Sequence, residues 1–342
     1  MESGNLKKIR FGILGCGMIA GTHAAAIESL EDAELAGAAD FNPEAAERFG
    51  KKYGACAYSS EQEMLEDERI DVICVCTPSH CHAEYAIRAL RAGKHVVLEK
   101  PMALNTAEAD RVIAAVKESG RLLTVISQLR FSEDIQHVRQ LIRKGAFGRV
   151  IFVNLSMCYW RSEEYFSASR WRGRMAFEGG GALMNQGIHG IDLMQHILGE
   201  PRVLKGKIDT MHHAVEVEDA AMALIEFENG AMGMIQASTC TWPGFERRLE
   251  IRGDKGYAVL KENSIEYLDT PEDKIDRRRE TVGDTGSYNK PDAIDCSMHA
   301  MQIKNLMDAA RGRSELLIDA NEGRKAIRII EDIYRSSAED KE

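Results

Sequence analysis

Lys8-Ile9-Arg10-Phe11-Gly12-Ile13-Leu14-Gly15-Cys16-Gly17-Met18-Ile19-Ala20 is the stretch on which the fold turns. Its apolar run predicts a strand over 8–14, and a helical pattern follows over 18–30. Between them, two glycines permit a tight turn and let backbone N–H groups approach a pyrophosphate, while the small Ala20 lets helix and strand pack closely. The helix N-terminus adds partial positive charge for phosphates. Gly15, Gly17, Met18 and Ile19 are therefore candidate cofactor contacts. Alone the spacing is a weak signal, since glycine turns between strands and helices are common. Its position, directly after a first strand and opening a helix, gives it weight.

Outward from that turn, strands are predicted over 34–40, 72–76, 95–98 and 122–126, with helices over 43–53, 80–92 and 106–119. Strands alternating with helices of ten to fifteen residues argue for βαβ units, and unbroken apolar strands suit a parallel sheet buried on both faces. The pattern changes after Gln128. A helix over 133–144 and a strand over 149–158 precede a loop over 159–178 rich in aromatics and arginines, then a helical stretch over 181–198. Residues 203–268 read as strands joined by polar turns, with Asn229-Gly230 as a hairpin signal, and helices over 293–311 and 320–336 close the chain. The expected fold is an α/β Rossmann domain over 1–128 and an α+β domain over 129–342 with a large, mostly antiparallel open sheet.

Bulk properties narrow the class. At about 100–200 residues per domain, 342 residues suffice for two domains with cores of their own. The net charge of −10 argues against a nucleic-acid footprint, and Arg277-Arg278-Arg279 lies between Asp276 and Glu280 as a solvated loop or strand end. No apolar stretch reaches the ~20 residues of a membrane span, and 1–10 is not followed by a secretory h-region, so the cytosol is the expected compartment. The 8 cysteines lack the spacing of a disulfide framework. Cys74 and Cys76 share one face of a buried strand, and Cys81 and His82 do not turn them into a metal site, so none is expected.

Asp40 ends the second strand about twenty residues past the glycines, where a carboxylate accepts hydrogen bonds from ribose hydroxyls and repels a 2′-phosphate. Phe41-Asn42-Pro43 supplies no cation to hold such a phosphate, so NAD is favoured over NADP. The plainer reading of Asp40 is a strand-end or capping residue. Glu99-Lys100-Pro101 ends another strand of the same half, where ligands bind in open α/β sheets. A lysine near a nicotinamide cation has its ammonium form disfavoured, which suits proton exchange; a lysine at a strand end is otherwise a surface charge. Within 179–192, an unbroken helix would put Asn185, His189 and Asp192 on one face, as a cleft lining or as a satisfied core histidine with its partner.

Taken in order, Gly15-Cys16-Gly17-Met18-Ile19-Ala20, Cys76-Thr77-Pro78, Ala92-Gly93-Lys94-His95-Val96, Glu99-Lys100-Pro101 and the glycine-rich His189 segment resemble the Gfo/Idh/MocA family. Val217-Glu218-Asp219, Asn229-Gly230-Ala231 and Ile333-Tyr334-Arg335-Ser336 look similar too, so the resemblance covers nearly the whole chain. It implies hydride transfer between nicotinamide C4 and a carbon bearing a secondary hydroxyl of a sugar, sugar acid, glycoside or cyclitol. It also implies that Lys100 and His189 handle the proton, that Thr77, Pro78, Glu99 and Gln128 lie beside the cofactor, and that His82 lies beside it too or is structural. Asn185 departs from the aspartate of inositol dehydrogenases, and Met184-Asn185-Gln186 resembles a branch acting on UDP-linked N-acetylamino sugars or their uronic acids. Asp192 binds substrate or ties down the loop before it. Tyr159, Arg161, Trp171 and Arg172 offer aromatic faces and guanidinium groups that suit a pyranose and a carboxylate or phosphate, or else anchor their loop.

Three readings stay open: a dehydrogenase that releases NADH, an enzyme that cycles tightly held NAD, and a non-catalytic NAD- or sugar-binding regulator. The presence of both Lys100 and His189 speaks for the first two. A small carbohydrate partner is expected, with neither nucleic acid nor membrane. The resemblance also implies a homodimer or homotetramer assembled through the C-terminal sheet.

Overall fold

The computed structural model describes residues 7–278 and 295–339, so Arg279 and Ala293 lie outside the described residues. The chain divides into two compact units. One holds 7–103, 107–128 and 295–324, and the other holds 104–106, 129–278 and 325–339.

The first unit is built on a six-stranded parallel sheet: β1 (Ile9–Leu14), β2 (Ala33–Ala39), β3 (Cys56–Ala57), β4 (Val72–Val75), β5 (His95–Leu98) and β6 (Leu123–Val125), in the order β3-β2-β1-β4-β5-β6. The order reverses between β1 and β4, and ligands of open α/β sheets bind beyond the strand ends at such a switch. Helices α1 (Met18–Glu28), α2 (Pro43–Tyr53), α3 (Glu61–Glu66), α4 (His82–Arg91) and α5 (Thr106–Ser119) join the strands. Local chemistry sets their ends. The Asn42 side chain accepts from the Glu44 N–H, Pro43 occupies the first turn, and Gly54 closes α2 at φ 69°.

The second unit carries α6 (Glu133–Arg143), β7 (Val150–Cys158), α7 (Glu163–Ser167), α8 (Met175–Glu178) and α9 (Ile188–Leu198). Strands β8 (Pro201–Asp209), β9 (Ala220–Phe227), β10 (Met232–Ser238), β11 (Arg248–Gly253), β12 (Tyr257–Lys261), β13 (Ser264–Asp269) and β14 (Lys274–Asp276) complete an eight-stranded sheet in the order β14-β13-β12-β11-β7-β10-β9-β8. All its pairings are antiparallel except β7 with β10. Asn229-Gly230 forms the β9–β10 hairpin: the Asn229 side chain accepts from the Ala231 N–H at 3.0 Å, and Gly230 stands at φ 80°. β9 alternates buried Ala221, Ala223, Ile225 and Phe227 with Met222 and Leu224, which are exposed.

The closing helices are α10 (Ser297–Ala310) and α11 (Ala320–Glu339). The expected boundary gave everything after 128 to the second domain, but α10 belongs to the first unit. Its Ala300, Ile303, Leu306 and Met307 join a core with Ala20, Ala24 and Ile27 of α1 and with Phe11 and Ile13 of β1. A change of pattern along the chain marks where a segment leaves a core and is silent on a later return. No helix among the described residues is long and apolar enough to cross a membrane.

Candidate active site

In the first unit the glycine turn closes as its residues require. Gly15 stands at φ +93°, its N–H donates to the Ala39 carbonyl at 2.9 Å, and a Cβ there would meet the Cys76 backbone at 2.8 Å. Gly17 caps α1 with φ −77°, and a Cβ on it would meet nothing within 4 Å. Protein packing therefore demands glycine at 15 but not at 17, where the open space suits a phosphate that must approach the backbone. Asp40 accepts from the Cys16 N–H at 2.7 Å and from the Asn42 N–H at 2.8 Å. It thus ties the turn to the end of β2, and the capping role and a ribose-facing role are compatible because each oxygen keeps a lone pair. Burial, with Asp40 beside it, pushes the Cys16 thiol up to about 12. Thr77 Oγ1 and Gln128 Oε1 are among the buried side-chain atoms of this half with no hydrogen-bond partner. Orphaned buried polar atoms are costly, and a polar cofactor would relieve both. The residues present thus fit NAD.

Lys100 follows β5, and its peptide bond to Pro101 is cis. Glu99, expected beside the cofactor, turns inward instead and is 4% exposed. One carboxylate oxygen lies 2.8 Å from His23 Nε2 and the other accepts from the Lys100 N–H at 3.1 Å. Burial pushes the Glu99 carboxyl up, but the His23 hydrogen bond and charge outweigh it, giving about 2. His299 meets His23 edge to face at 5.6 Å, and burial lowers it to about 4. His82 is also an inner residue: Nδ1 lies 2.6 Å from the Pro101 carbonyl and Nε2 lies 2.8 Å from the Thr77 carbonyl, so neither nitrogen is left for a cofactor. Lys94 of the Ala92–Val96 motif donates to the Asp67 and Ile70 carbonyls and is structural.

In the second unit, the segment expected as an unbroken helix over 181–198 opens with a wide π turn, Ala182–Gly187, and becomes α-helical only at Ile188. Such turns recur at functional sites. Glu218 explains it, because three successive amides are held on that residue. Gly181 N and Leu183 N donate to its carboxylate at 2.8 and 2.9 Å, and Ala182 N donates to its carbonyl at 2.9 Å. Tyr334 Oη donates to the same carboxylate at 2.9 Å, which accounts for two family motifs at once. Burial pushes Glu218 up. Asp219 gathers the amides of Met211, His212 and His213.

The π turn breaks the expected polar stripe. Asn185 Nδ2 donates to Glu178 Oε1 at 2.5 Å, and Glu178 also accepts from the Gly173 N–H. Glu178 was missed from the sequence; the available signal was a lone carboxylate directly before three glycines. Asp192 forms a bidentate pair with Arg130, at 2.9 and 2.6 Å, with side chains 7% and 2% exposed. Each oxygen meets the guanidinium, so the partner observed is Arg130, after β6, and not the loop before the helix. His189, half-buried, opens α9.

Of the loop residues, Tyr159 is an anchor: it is 5% exposed, its N–H donates to the Ser238 carbonyl, and burial raises its hydroxyl to about 12. Trp160, against His212 and Trp242, likewise pins the loop. Arg161 and Arg172 instead both lie over the ring of Tyr165, at 5.5 and 4.1 Å from its centre. Arg172 also lies over the Trp171 ring, 5.3 Å from its centre. Gln186 donates to Tyr165 Oη at 3.1 Å, which fastens the arginine cluster to the segment carrying Asn185 and His189. Burial lowers the Arg161 guanidinium, and Arg172 Nε is buried with no hydrogen-bond partner.

Comparison with known proteins agrees with this layout. Residues 9–127 match the model of an oxidoreductase family with an NAD-binding Rossmann fold, and residues 135–259 match the GFO/IDH/MocA C-terminal domain. The chain is 28% identical to inositol 2-dehydrogenase of Rhizobium meliloti, over 97% of each chain. It is 26% identical to D-glucoside 3-dehydrogenase of Escherichia coli, over 96% of this chain and 95% of that one. Among solved structures, the WlbA dehydrogenase from Bordetella pertussis, in complex with NADH and UDP-GlcNAcA, is 32% identical with a TM-score of 0.87, covering 97% of this chain and 96% of the other.

Proposed function

Because the chain belongs to the Gfo/Idh/MocA family of NAD-binding oxidoreductases, we propose that it oxidises a secondary hydroxyl of a negatively charged pyranose, a UDP-linked N-acetylamino uronic acid. The observation that carries the substrate class is the pair of guanidinium groups around Tyr165, fastened by Gln186 to the segment of Asn185 and His189. Guanidinium groups in a partly desolvated setting recognise carboxylate and phosphate through paired N–H donors. A carboxylate or phosphate draws on the charge of a guanidinium, and a neutral cyclitol or glucoside does not. The likeness to a dehydrogenase solved with a UDP-sugar acid supports the same choice.

Bound NAD supplies the hydride acceptor. The chain supplies the rest. Amides of the Gly15–Ile19 turn and the N-terminus of α1 hold the pyrophosphate, Asp40 takes the ribose hydroxyls and disfavours NADP, and Thr77, Pro78 and Gln128 line the nicotinamide side. Lys100 contacts the reacting hydroxyl and takes its proton, with His189 as the group that shares or relays it. Asn185 lacks a charge of its own, and its Glu178 partner supplies the nearest buried carboxylate on that segment. The cytosol is the compartment that fits an enzyme drawing on nucleotide sugars and NAD.

The test is NADH formation with NAD across inositols, free sugars, aryl glycosides, uronic acids and UDP-sugars. The expected result is a rise with the UDP-linked uronic acid and little with the neutral compounds. A rise only with inositols or glycosides would overturn the substrate class. No net NADH, with cofactor retained through purification, would favour the tight-NAD cycle.

A further inference from the structure

His82 begins α4 and is 2% exposed, so water does not compete for its ring. Both nitrogens face backbone carbonyls, one from each of two functionally distinct segments. Nδ1 is 2.6 Å from the oxygen of Pro101, the residue after Lys100, and Nε2 is 2.8 Å from the oxygen of Thr77, in the loop after β4. Carbonyl oxygens only accept. A neutral imidazole has one N–H and donates to one of them at a time, whereas an imidazolium donates to both. Glu99 fixes the other side of Lys100, accepting from the Lys100 N–H and paired with His23. The chain on each side of Lys100 is thus held by a buried histidine, by His82 at the carbonyl of the next residue, Pro101, and by His23 through Glu99 on the other side.

We propose that His82 is a positioning residue that couples the cofactor loop at Thr77 to the Lys100 segment through its two carbonyl contacts. The proposal rests on the assignment of Lys100 and of NAD made above. It makes a distinctive demand on the two amide replacements. The amide nitrogen of asparagine stands where Nδ1 does, and that of glutamine where Nε2 does. His82→Asn keeps a donor for Pro101 and drops Thr77, and His82→Gln does the reverse. A ring that only filled space would be replaced equally well or badly by both.

The experiment compares the parent with both variants on two readouts that need no substrate. One is NAD affinity by calorimetric titration, and the other is the pH profile of Lys100 acetylation under competitive labelling, read from its peptide by mass. Losing one hydrogen bond to a buried carbonyl is worth about ten-fold. His82→Asn should weaken NAD about that much and leave the Lys100 profile in place, while His82→Gln should hold NAD affinity and change the Lys100 profile several-fold. Equal changes in both variants on both readouts, or no change in either, would overturn the coupling. Lys100→Ala in the NADH assay keeps the two readings separate: turnover surviving that substitution removes the lysine from the chemistry while leaving the crossed pattern to stand or fall by itself.

Discussion

At residue 185 the sequence and the structure give different advice. Set against inositol dehydrogenases, Asn185 reads as a base-orienting group that has lost its charge, and aspartate would be the natural repair. The structure shows Glu178 already there, its Oε1 2.5 Å from Asn185 Nδ2. Asn185→Asp would set two carboxylates in hydrogen-bond contact, and one must then keep a proton. The pair's folded pKa would rise above the unfolded one, so its stability would be complete below the ordinary carboxylate range and lost as pH rises through the raised value. We expect Asn185→Asp to be less stable at neutral pH by about 1–3 kcal/mol, to recover toward pH 5, and to be rescued by Glu178→Gln. Thermal melts of the three proteins from pH 5 to 8 decide it; an Asn185→Asp protein melting with the parent throughout would refute the contact. The site was legible to the extent that it depends on the chain's own order: Gly15 and Asp40 stand out by type and spacing, while Lys100 and His189 became candidates through the resemblance. Glu99 was placed by motif on the ligand side and has inner partners instead, while His82 and Asp192 were open between a ligand-side and a structural role and have inner partners too. Motifs record which residues are needed without saying whether they touch the ligand or hold the residues that do.

Among the elements, the turn between β1 and α1 separates two kinds of glycine. Gly15 pairs a positive φ with a close backbone neighbour, so Gly15→Ala should cost about 1–3 kcal/mol of stability. Gly17 has neither constraint, so Gly17→Ala should melt with the parent and still lose NAD affinity by ten-fold or more. Melting and NAD titration of both variants separate the effects, and a Gly17→Ala protein binding NAD normally would move the pyrophosphate elsewhere. The π turn of Ala182–Gly187 lies beyond what a periodicity can show. Its hydrogen-bond pattern is imposed by Glu218, thirty-five residues past Leu183. Strands β3 and β14, of 2 and 3 residues, are too short to carry a pattern at all.

On the scale of the whole molecule, both sheets could be anticipated, since long apolar runs and hairpin spacing are properties of consecutive residues. The return of α10 to the first core could not, because amphipathicity gives a helix an apolar face without naming the core it joins. That return brings His299 into the interior beside His23 and Glu99, with Asp295 just before its helix. Burial lowers His299 from its usual 6.5 to about 4, so the unfolded chain takes up the proton first. Its contribution is intact above pH 6.5 and declines by roughly 3 kcal/mol as pH falls to 4. Glu99, held near 2, adds its own loss only below the ordinary carboxylate range. The parent should therefore lose melting temperature between pH 6.5 and 4 more steeply than His299→Gln, and parallel curves would reject that origin. The open face of the second sheet poses a different question. Phe152, Met222, Leu224 and Met232 are all about half exposed on adjacent strands, more apolar surface than a solvated sheet needs. We expect a dimer or tetramer by sedimentation, dissociated by Leu224→Glu; a monomeric parent would dispose of the idea. The placement of α10 also has a consequence for biosynthesis. While a ribosome is making this protein, the nucleotide-binding half cannot finish its core when its last strand emerges. The apolar side of α1 must wait, uncovered, until the next hundred and seventy or so residues are translated. A nascent chain stalled after β6 should accordingly be held by chaperones, and one stalled past α10 should be released from them.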